Sequence, residues 1–197
     1  MKSPKRPNRG GHSGTRLQRV NWSSDLDLVR RLFQDYRQWL ADHRDTAASG
    51  APTVRSGLGQ IDSLIAGLPG AYGPPSGEVI LAFARGELAA CGALREFEPK
   101  VGEIKRVYVR ADHRGPVFGP RLTRALLRRA RELGYDRVRV DTLPTMAAAN
   151  QFYPGMGFEP ISAYWPHPVP GALFFEYRLR KPRPRQHASS DSKRSGR

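Results

Sequence analysis

Apolar and polar positions along the chain follow two periods, which predict an ordered succession of strands and helices. Runs of β-branched and aromatic residues predict strands at 17–20, 79–84, 88–94, 107–109, 138–142, from 158 onward, and at 172–179. Apolar residues at helical spacing predict helices at 24–40, 60–68, 122–133 and 146–153. The resulting order, β-α-α-β-β-β-α-β-α-β-β, predicts an α/β fold in which the strands on either side of the third helix are parallel.

The first helix and the segments after it carry further expectations. The apolar stripe of this helix, which includes Tyr36 and Trp39, is expected to be core rather than a partner-binding surface. Residues 44–59 are rich in small side chains without periodicity, so they predict a flexible loop of the kind that often covers a substrate. Cys91 is expected to be a small buried hydrophobe rather than a nucleophile, because no histidine lies near it in the sequence.

The stretch from Glu103 to Leu133 predicts a strand, a glycine-punctuated loop and an amphipathic helix in direct succession. The loop runs from Arg114 to Gly119 with the sequence RGPVFG. Such a loop gathers backbone N–H groups at the positive end of a helix dipole, and Arg114 adds a charge suited to a pyrophosphate. An ordinary turn between a strand and a helix is the alternative, because short glycine motifs are weak evidence.

Two motifs in this order resemble those of the GNAT superfamily, the acyl-CoA-dependent N-acyltransferases. In the coenzyme-A motif, Arg114 and Gly119 match the outer positions, and Val117 stands where the inner glycine is expected. The second motif, A-x-x-x-Y-x-x-x-G-F, is matched by Ala149, Tyr153, Gly157 and Phe158. The resemblance covers about residues 16–180 and implies the GNAT fold, with a mixed, mostly antiparallel central sheet of six to seven strands, one βαβ parallel pair and flanking helices.

The resemblance implies an N-acetyltransferase that transfers an acetyl group from acetyl-CoA to a primary amine by direct attack. Backbone groups of Val107 and Val109 would pair with the pantetheine arm and the thioester oxygen. The pyrophosphate would be held by the loop residues Arg114, Gly115, Val117, Phe118 and Gly119.

The resemblance also implies two catalytic residues. Tyr153 matches the tyrosine whose hydroxyl protonates the leaving thiolate, since a phenol with a pKa near ~10 is protonated at neutral pH, and a core aromatic is the alternative role. Glu103 is the acid on the central strand nearest the expected cleft and is the candidate base, although it could instead pair with Lys105 or Arg106. Pro154 is expected to end or kink its helix at the C-terminal turn.

The loop departs from the motif at Pro116 and Val117. A β-branched residue at the inner glycine position is expected to be strained by about 1–3 kcal/mol, and Pro116 has no N–H to offer an anion. The chain is therefore expected to bind acetyl-CoA weakly, and Val117→Gly is expected to tighten binding. A catalytically impaired GNAT-fold binding protein is the alternative function.

Composition excludes several kinds of site. One cysteine excludes an intramolecular disulfide framework, and five scattered histidines provide no zinc-ligand spacing, so no metal is expected. No apolar run approaches the ~20 residues of a membrane span and no apolar segment follows the basic N-terminus, so we expect a cytoplasmic protein without a membrane partner. The sequence leaves open whether the acceptor is a small-molecule amine or a peptide N-terminus, and whether the protein is a monomer or a homodimer.

The formal charge of +15 lies mostly at the two ends of the chain. Residues 1–19 carry +6, residues 180–197 carry +6, and the 160 residues between them carry only +3. These ends are rich in Pro, Ser and Gly, so they predict disordered basic tails at 1–15 and 181–197 around one domain at 16–180. Non-specific nucleic-acid binding through the tails is the second alternative function.

Deleting residues 1–15 and 183–197 is expected to leave the melting temperature nearly unchanged, because these segments have no apolar periodicity to bury. Calorimetric melting of the full and shortened chains measures this, and a loss of several degrees would contradict the predicted boundaries.

If the full chain retains DNA, the shortened chain is expected to lose most of that binding. Equal retention by both forms would assign the nucleic-acid surface to the domain.

Overall fold

A computed structural model describes residues 14–44, 52–166 and 170–179, and this part of the chain contains seven strands and four α-helices. The strands are β1 (Thr15–Arg19), β2 (Glu78–Ala84), β3 (Glu87–Glu98), β4 (Val101–Val109), β5 (Arg137–Thr142), β6 (Glu159–Pro160) and β7 (Leu173–Arg178). The helices are α1 (Leu26–Arg44), α2 (Pro52–Ala66), α3 (Phe118–Glu132) and α4 (Ala147–Gly155). The order of these elements is the predicted one.

The seven strands form one mixed sheet in the order β1-β2-β3-β4-β5-β7-β6. All neighbouring strands are antiparallel except β4 and β5, which are parallel and connected through α3. The predicted βαβ unit and the mostly antiparallel sheet are therefore confirmed. β6 is only two residues long and lies at the edge of the sheet, where proline is tolerated because one side of the strand has no partner.

Helices cover both faces of the sheet, which explains why β2 is apolar at nearly every position. Ile80 and Ala82 belong to the core between the sheet and helices α3 and α4. Val79 and Leu81 belong to the core between the sheet and helices α1 and α2. A strand covered on both faces has no solvent-facing side, so it carries a continuous apolar run instead of alternation.

Helix α2 starts eight residues before the predicted helix at 60–68. The structure begins it at Pro52, within the stretch 44–59 that small residues led us to predict as a loop. Proline suits the first turn of a helix because its missing N–H has no intrahelical partner there, and its fixed φ is helical. The loop prediction is therefore wrong for residues 52–59, while residues 45–51 lie outside the described part of the chain.

The predicted N-terminal boundary of the domain lies one residue inside the first strand. Strand β1 begins at Thr15, whose backbone carbonyl and hydroxyl accept hydrogen bonds from Arg121 of α3, so Thr15 belongs to the folded part. A shortened chain that keeps Thr15 therefore tests the N-terminal tail without disturbing β1. Residues 1–13 and 180–197, on which the tail predictions fall, lie outside the described residues.

Candidate functional site

Strands β4 and β5 separate after a short contact, and this separation opens the sheet. They pair only where Val101–Glu103 lies opposite Arg137–Arg139. Beyond that point β5 stays beside β7, and β4 stays beside β3. The edge of β4 that faces β5 therefore has no strand partner over its second half. Backbone N–H and C=O groups on such an edge are available to a ligand.

A β-bulge lies on β4 within the open stretch. The register between β3 and β4 shifts between the partners of Cys91 and Ala93, and Arg106 has a positive φ of 56°. An extra residue in one strand redirects the side chains that follow it. Arg106 accordingly lies on the α1 face with its guanidinium carbon 5.4 Å from the centre of the Tyr36 ring, while Val107 packs against the core on the α3 face.

The opening leads into a cavity of about 1390 Å³. Its walls come from α1, α2, the open parts of β4 and β5, the loop before α3, the helix α4 and the segment before β7. Six of the nine predicted site residues line it: Val107, Val109, Arg114, Gly115, Gly119 and Tyr153. The other three are Glu103, Val117 and Phe118, which are not among the lining residues.

The loop before α3 presents the N-terminus of that helix to the cavity. Helix α3 begins at Phe118, and the N–H groups of its first turn have no intrahelical acceptor. Pro116 and Pro120 contribute no N–H, so the donors are concentrated at Phe118 and Gly119. The guanidinium of Arg114 lies 5.7 Å from the Trp39 ring of α1, on the opposite wall. Together these groups make an electropositive end of the cavity.

Val117 is not strained, contrary to the expectation from the motif. Its φ of −89° and ψ of −53° lie in the right-handed helical region, which a β-branched residue adopts readily. Its side chain is 48% exposed and contributes nothing to the core. The inner position of this loop therefore does not require a left-handed backbone, and Val117→Gly would relieve no strain.

Gly119 is required by packing as well as by its place in the loop. A Cβ atom there would lie 3.3 Å from Cε1 of Phe152, so a larger residue would press α3 away from α4. This close approach brings the first turn of α3 next to the helix that carries Tyr153. The distance between the anion loop and Tyr153 thus depends on a glycine at this position.

Tyr153 lies at the base of the cavity and is only 3% exposed. Its ring packs at 5.2 Å from the ring of Phe158 and at 6.1 Å from that of Phe175, so it is also a core aromatic. Burial, and to a smaller extent the nearby carboxylate of Asp141, raise the pKa of Tyr153, so its hydroxyl is protonated at neutral pH. Pro154 lies in the last turn of α4, which ends one residue later at Gly155, as expected.

Glu103 lies fully buried within a network of charged and aromatic side chains. Its Oε2 accepts from Arg95 at 2.7 Å, and its Oε1 lies 3.3 Å from Nζ of Lys105 and accepts from the hydroxyl of Tyr164 at 3.1 Å. Of the two partners proposed from the sequence, Lys105 is therefore found and Arg106 is not. Because both carboxylate oxygens are engaged and Glu103 does not line the cavity, this residue mainly orients its partners.

Asp141 is the carboxylate that faces the cavity from β5. Nζ of Lys105 lies 2.5 Å from its Oδ1, so an ion pair bridges the gap between β4 and β5. Burial lowers the pKa of Lys105, but Asp141 and Glu103 outweigh this effect and the net change is upward, which keeps the ammonium charged. In the alternating strand RVRVDT, Asp141 lies on the same face as Arg137 and Arg139, opposite the buried Val138 and Val140, and neither motif includes it.

The apolar stripe of α1 serves two purposes. Its buried members, Val29, Leu32, Phe33 and Leu40, pack in the core as expected. Tyr36 and Trp39 also pack against this core, but they are only half-buried and line the cavity as well. Residues of α1 and α2, together with Trp165 and Pro166, thus form one wall of the cavity.

Residues 14–44, 52–166 and 170–179 contain no cluster of His, Cys, Asp and Glu side chains placed to hold a metal ion. None of the helices in this part of the chain is long and apolar enough to cross a membrane. Cys91 is buried, and burial raises the pKa of its thiol to about 12, in keeping with a structural rather than a nucleophilic cysteine.

Known proteins are similar to this chain in sequence and in fold. The model of the acetyltransferase (GNAT) family matches residues 29–158. An uncharacterized N-acetyltransferase of Schizosaccharomyces pombe is 28% identical over 171 residues, which span 86% of this chain and 98% of that protein.

Two solved structures have the same fold at low sequence identity. The PaiA N-acetyltransferase of Thermoplasma acidophilum, in complex with coenzyme A, gives a TM-score of 0.63 at 14% identity over 84% of this chain and 99% of its own. An acetyltransferase of the GNAT family from Staphylococcus aureus gives a TM-score of 0.60 at 16% identity, over 85% of this chain and 100% of its own.

Glu103→Gln is expected to reduce the free energy of unfolding by about 3 kcal/mol or more, because it leaves Arg95 and Lys105 without their shared buried counter-charge. Chemical denaturation of both forms measures the difference. The matched control is Glu96→Gln, an exposed glutamate on β3, which is expected to change stability by about 0.5 kcal/mol or less. Equal stability of the Glu103→Gln protein and the natural one would show that this carboxylate does not hold the network together.

Proposed function

The chain belongs to the acetyltransferase (GNAT) family, and on this basis we propose that it transfers the acetyl group of acetyl-CoA to the primary amine of an acceptor. The observation that carries the proposal is the meeting of three features in one cavity: an open strand edge, a helix N-terminus and a buried, protonated tyrosine. Each feature serves a different part of the reaction.

The donor is proposed to lie along the opening between β4 and β5. Backbone groups of Val107 and Val109, on the unpaired edge of β4, would pair with the amide groups of the pantetheine arm. The N–H groups of Phe118 and Gly119 would bind the pyrophosphate with the help of the helix dipole, and Arg114 would add a charge-assisted contact. The residues present therefore fit this substrate in order along the cavity.

Acetyl-CoA supplies an acetyl group activated as a thioester. The amine nitrogen forms the new bond to the carbonyl carbon, the carbon–sulfur bond breaks, and the sulfur takes up a proton. We assign that proton to the hydroxyl of Tyr153, whose raised pKa keeps it protonated until a basic thiolate forms beside it. The rings of Phe158 and Phe175 pack against Tyr153 and fix the position of its ring.

The amine must lose a proton before or during attack. Glu103 stays the candidate from sequence, but its two oxygens already accept from three partners. Asp141 lines the cavity and has one oxygen at 2.5 Å from Lys105, so we assign proton acceptance to Asp141, directly or through a water. Glu103 then acts by holding Lys105 in place. The impaired-enzyme alternative loses the support that rested on strain at Val117, while the missing N–H of Pro116 remains.

Arg114→Ala is expected to weaken acetyl-CoA binding about tenfold, the loss expected for one charge-assisted contact to an exposed phosphate group. Val117→Gly is expected not to tighten binding, because Val117 has a relaxed helical backbone. Calorimetric titration of the natural protein and both variants measures the affinities. Tighter binding by Val117→Gly would restore the strained-loop hypothesis, and no binding by any of the three forms would refute the proposed donor.

Tyr153→Phe is expected to lower kcat by roughly 10²-fold with little change in acetyl-CoA affinity, because it removes only the proton donor. The assay measures release of the CoA thiol in the presence of a set of primary amines. Tyr177→Phe is the matched control, since Tyr177 packs on the same aromatic cluster but does not line the cavity. Unchanged turnover in the Tyr153 variant, with single-turnover chemistry also unchanged, would make Tyr153 purely structural.

A further inference from the structure

Arg106 is a desolvated cation without an anionic partner. Its side chain lines the cavity, and its Nε is buried without a hydrogen-bond partner. Within the described residues no carboxylate lies at ion-pair distance from it, whereas Arg95 and Lys105 on the same face both have acidic partners. A charge taken out of water is costly unless it is paired. An anion from outside the described chain is therefore the expected complement of Arg106.

The acids Glu103 and Asp141 on this face of the sheet are already engaged by other cations. Glu103 contacts Arg95 and Lys105, and Asp141 contacts Lys105, at ion-pair distance. Asp141 also attracts Arg106 electrostatically, but from beyond ion-pair distance, so Arg106 has no contact ion pair within the described residues. A ligand that binds here therefore gains from carrying a negative group.

The same wall contains two more polar atoms without a hydrogen-bond partner among the residues that the structure describes. The hydroxyl of Tyr72 and Nε1 of Trp39 are buried without partners, and both residues line the cavity. Burial raises the pKa of Tyr72, although Arg106 opposes this effect, so the hydroxyl is a hydrogen-bond donor at neutral pH. Unpaired buried donors are uncommon in folded proteins, and here they accompany a guanidinium that is hydrogen-bonded to Tyr36 but has no partner at Nε.

The aromatic rings of this wall do not favour a purely cationic ligand. Cations prefer the faces of aromatic rings, but Arg106 already lies over Tyr36 and Arg114 already lies over Trp39. A polyamine placed here would meet these two guanidinium groups and the ammonium of Lys105. The electrostatics of the wall therefore disfavour acceptors that carry positive charge alone.

We propose that Arg106 binds a carboxylate of the acceptor, so that the acceptor is an amino acid or a related amine that carries a carboxylate. The planar guanidinium matches a carboxylate with two parallel hydrogen bonds. This inference rests on the proposed acetyl transfer and specifies the substrate class for the same site. Lys105 on β4 links the strand that carries Arg106 to Asp141 on β5, so the proposed carboxylate site and the proposed proton acceptor line the same cavity.

The position of Arg106 assigns the carboxylate to the acceptor rather than to the donor. Arg106 lies on the face of the sheet covered by α1, against Tyr36. The helix N-terminus that suits the phosphates of the donor belongs to α3, which packs on the opposite face. The N-terminus of α3 and the guanidinium of Arg106 therefore lie on opposite faces of the sheet, while Arg114 lies over the Trp39 ring, which stacks on Tyr36.

Calorimetric titration in the presence of CoA tests this inference with product-like probes. N-acetyl-L-phenylalanine and N-acetyl-L-alanine are each compared with the corresponding amide, which lacks only the negative charge. The natural protein is expected to bind at least one acid about tenfold or more tightly than its amide, the effect of a charge-assisted pair. Arg106→Gln is expected to abolish this preference without weakening the amide.

Arg85→Gln is the matched control. Arg85 is also an arginine with a positive φ, 49°, but it lies in the exposed turn between β2 and β3 and does not line the cavity. This variant is expected to keep the preference for the acid. Equal binding of acid and amide by the natural protein, no binding of either acid at millimolar concentration, or an unchanged preference in Arg106→Gln would each overturn the carboxylate subsite.

Turnover assays separate this inference from the proposed function. Free L-amino acids and their amides are offered with acetyl-CoA, and amines that lack a carboxylate are offered with succinyl-CoA. Consumption of acetyl-CoA with the amides alone, unaffected by Arg106→Gln, would keep acetyl transfer and overturn the carboxylate subsite. Arg106-dependent binding of the acids without any acetyl transfer would keep the subsite and overturn the proposed acetyl transfer. An Arg106-dependent preference for succinyl-CoA would assign the carboxylate to the donor and overturn the assignment to the acceptor.

Discussion

The short contact between β4 and β5 is the constraint on which the rest of the site depends. Parallel strands normally satisfy their backbone groups along their whole length, but here pairing ends after Glu103. The N–H and C=O groups on the edge of β4 that β5 has left face a cavity, so they are available to a ligand. Helix α3 belongs to the same βαβ unit, and the loop that precedes it brings its N-terminus to this cavity.

Charged side chains connect the two strands across the opening. Lys105 on β4 forms an ion pair with Asp141 on β5 and a second one with the fully buried Glu103. Buried ion pairs of this kind return little net stability relative to an apolar core of the same shape. Their value here is geometric, because they fix the distance across the opening and leave Arg106 as the unpaired charge on its wall.

Much of the fold was predictable from local pattern. Apolar periodicity is set by which faces of an element are buried, so the order of strands and helices and the parallel pair around α3 could be inferred from the chain alone. The pattern failed where side chains were uninformative. Small residues hid the start of α2 at Pro52, and Tyr36 and Trp39 follow the spacing of core residues although they line the cavity.

The sequence by itself determined the order of the elements, the glycine-punctuated loop at Arg114 to Gly119 and the tyrosine of α4, because each is encoded in contiguous residues. The tertiary structure decided what depends on pairing between distant segments. The relaxed backbone of Val117, the engagement of Glu103 by Arg95 and the unpaired state of Arg106 all follow from where strands diverge and where a bulge falls. No local motif specifies these, since register and bulge position are settled only when the strands pack between the two helical layers.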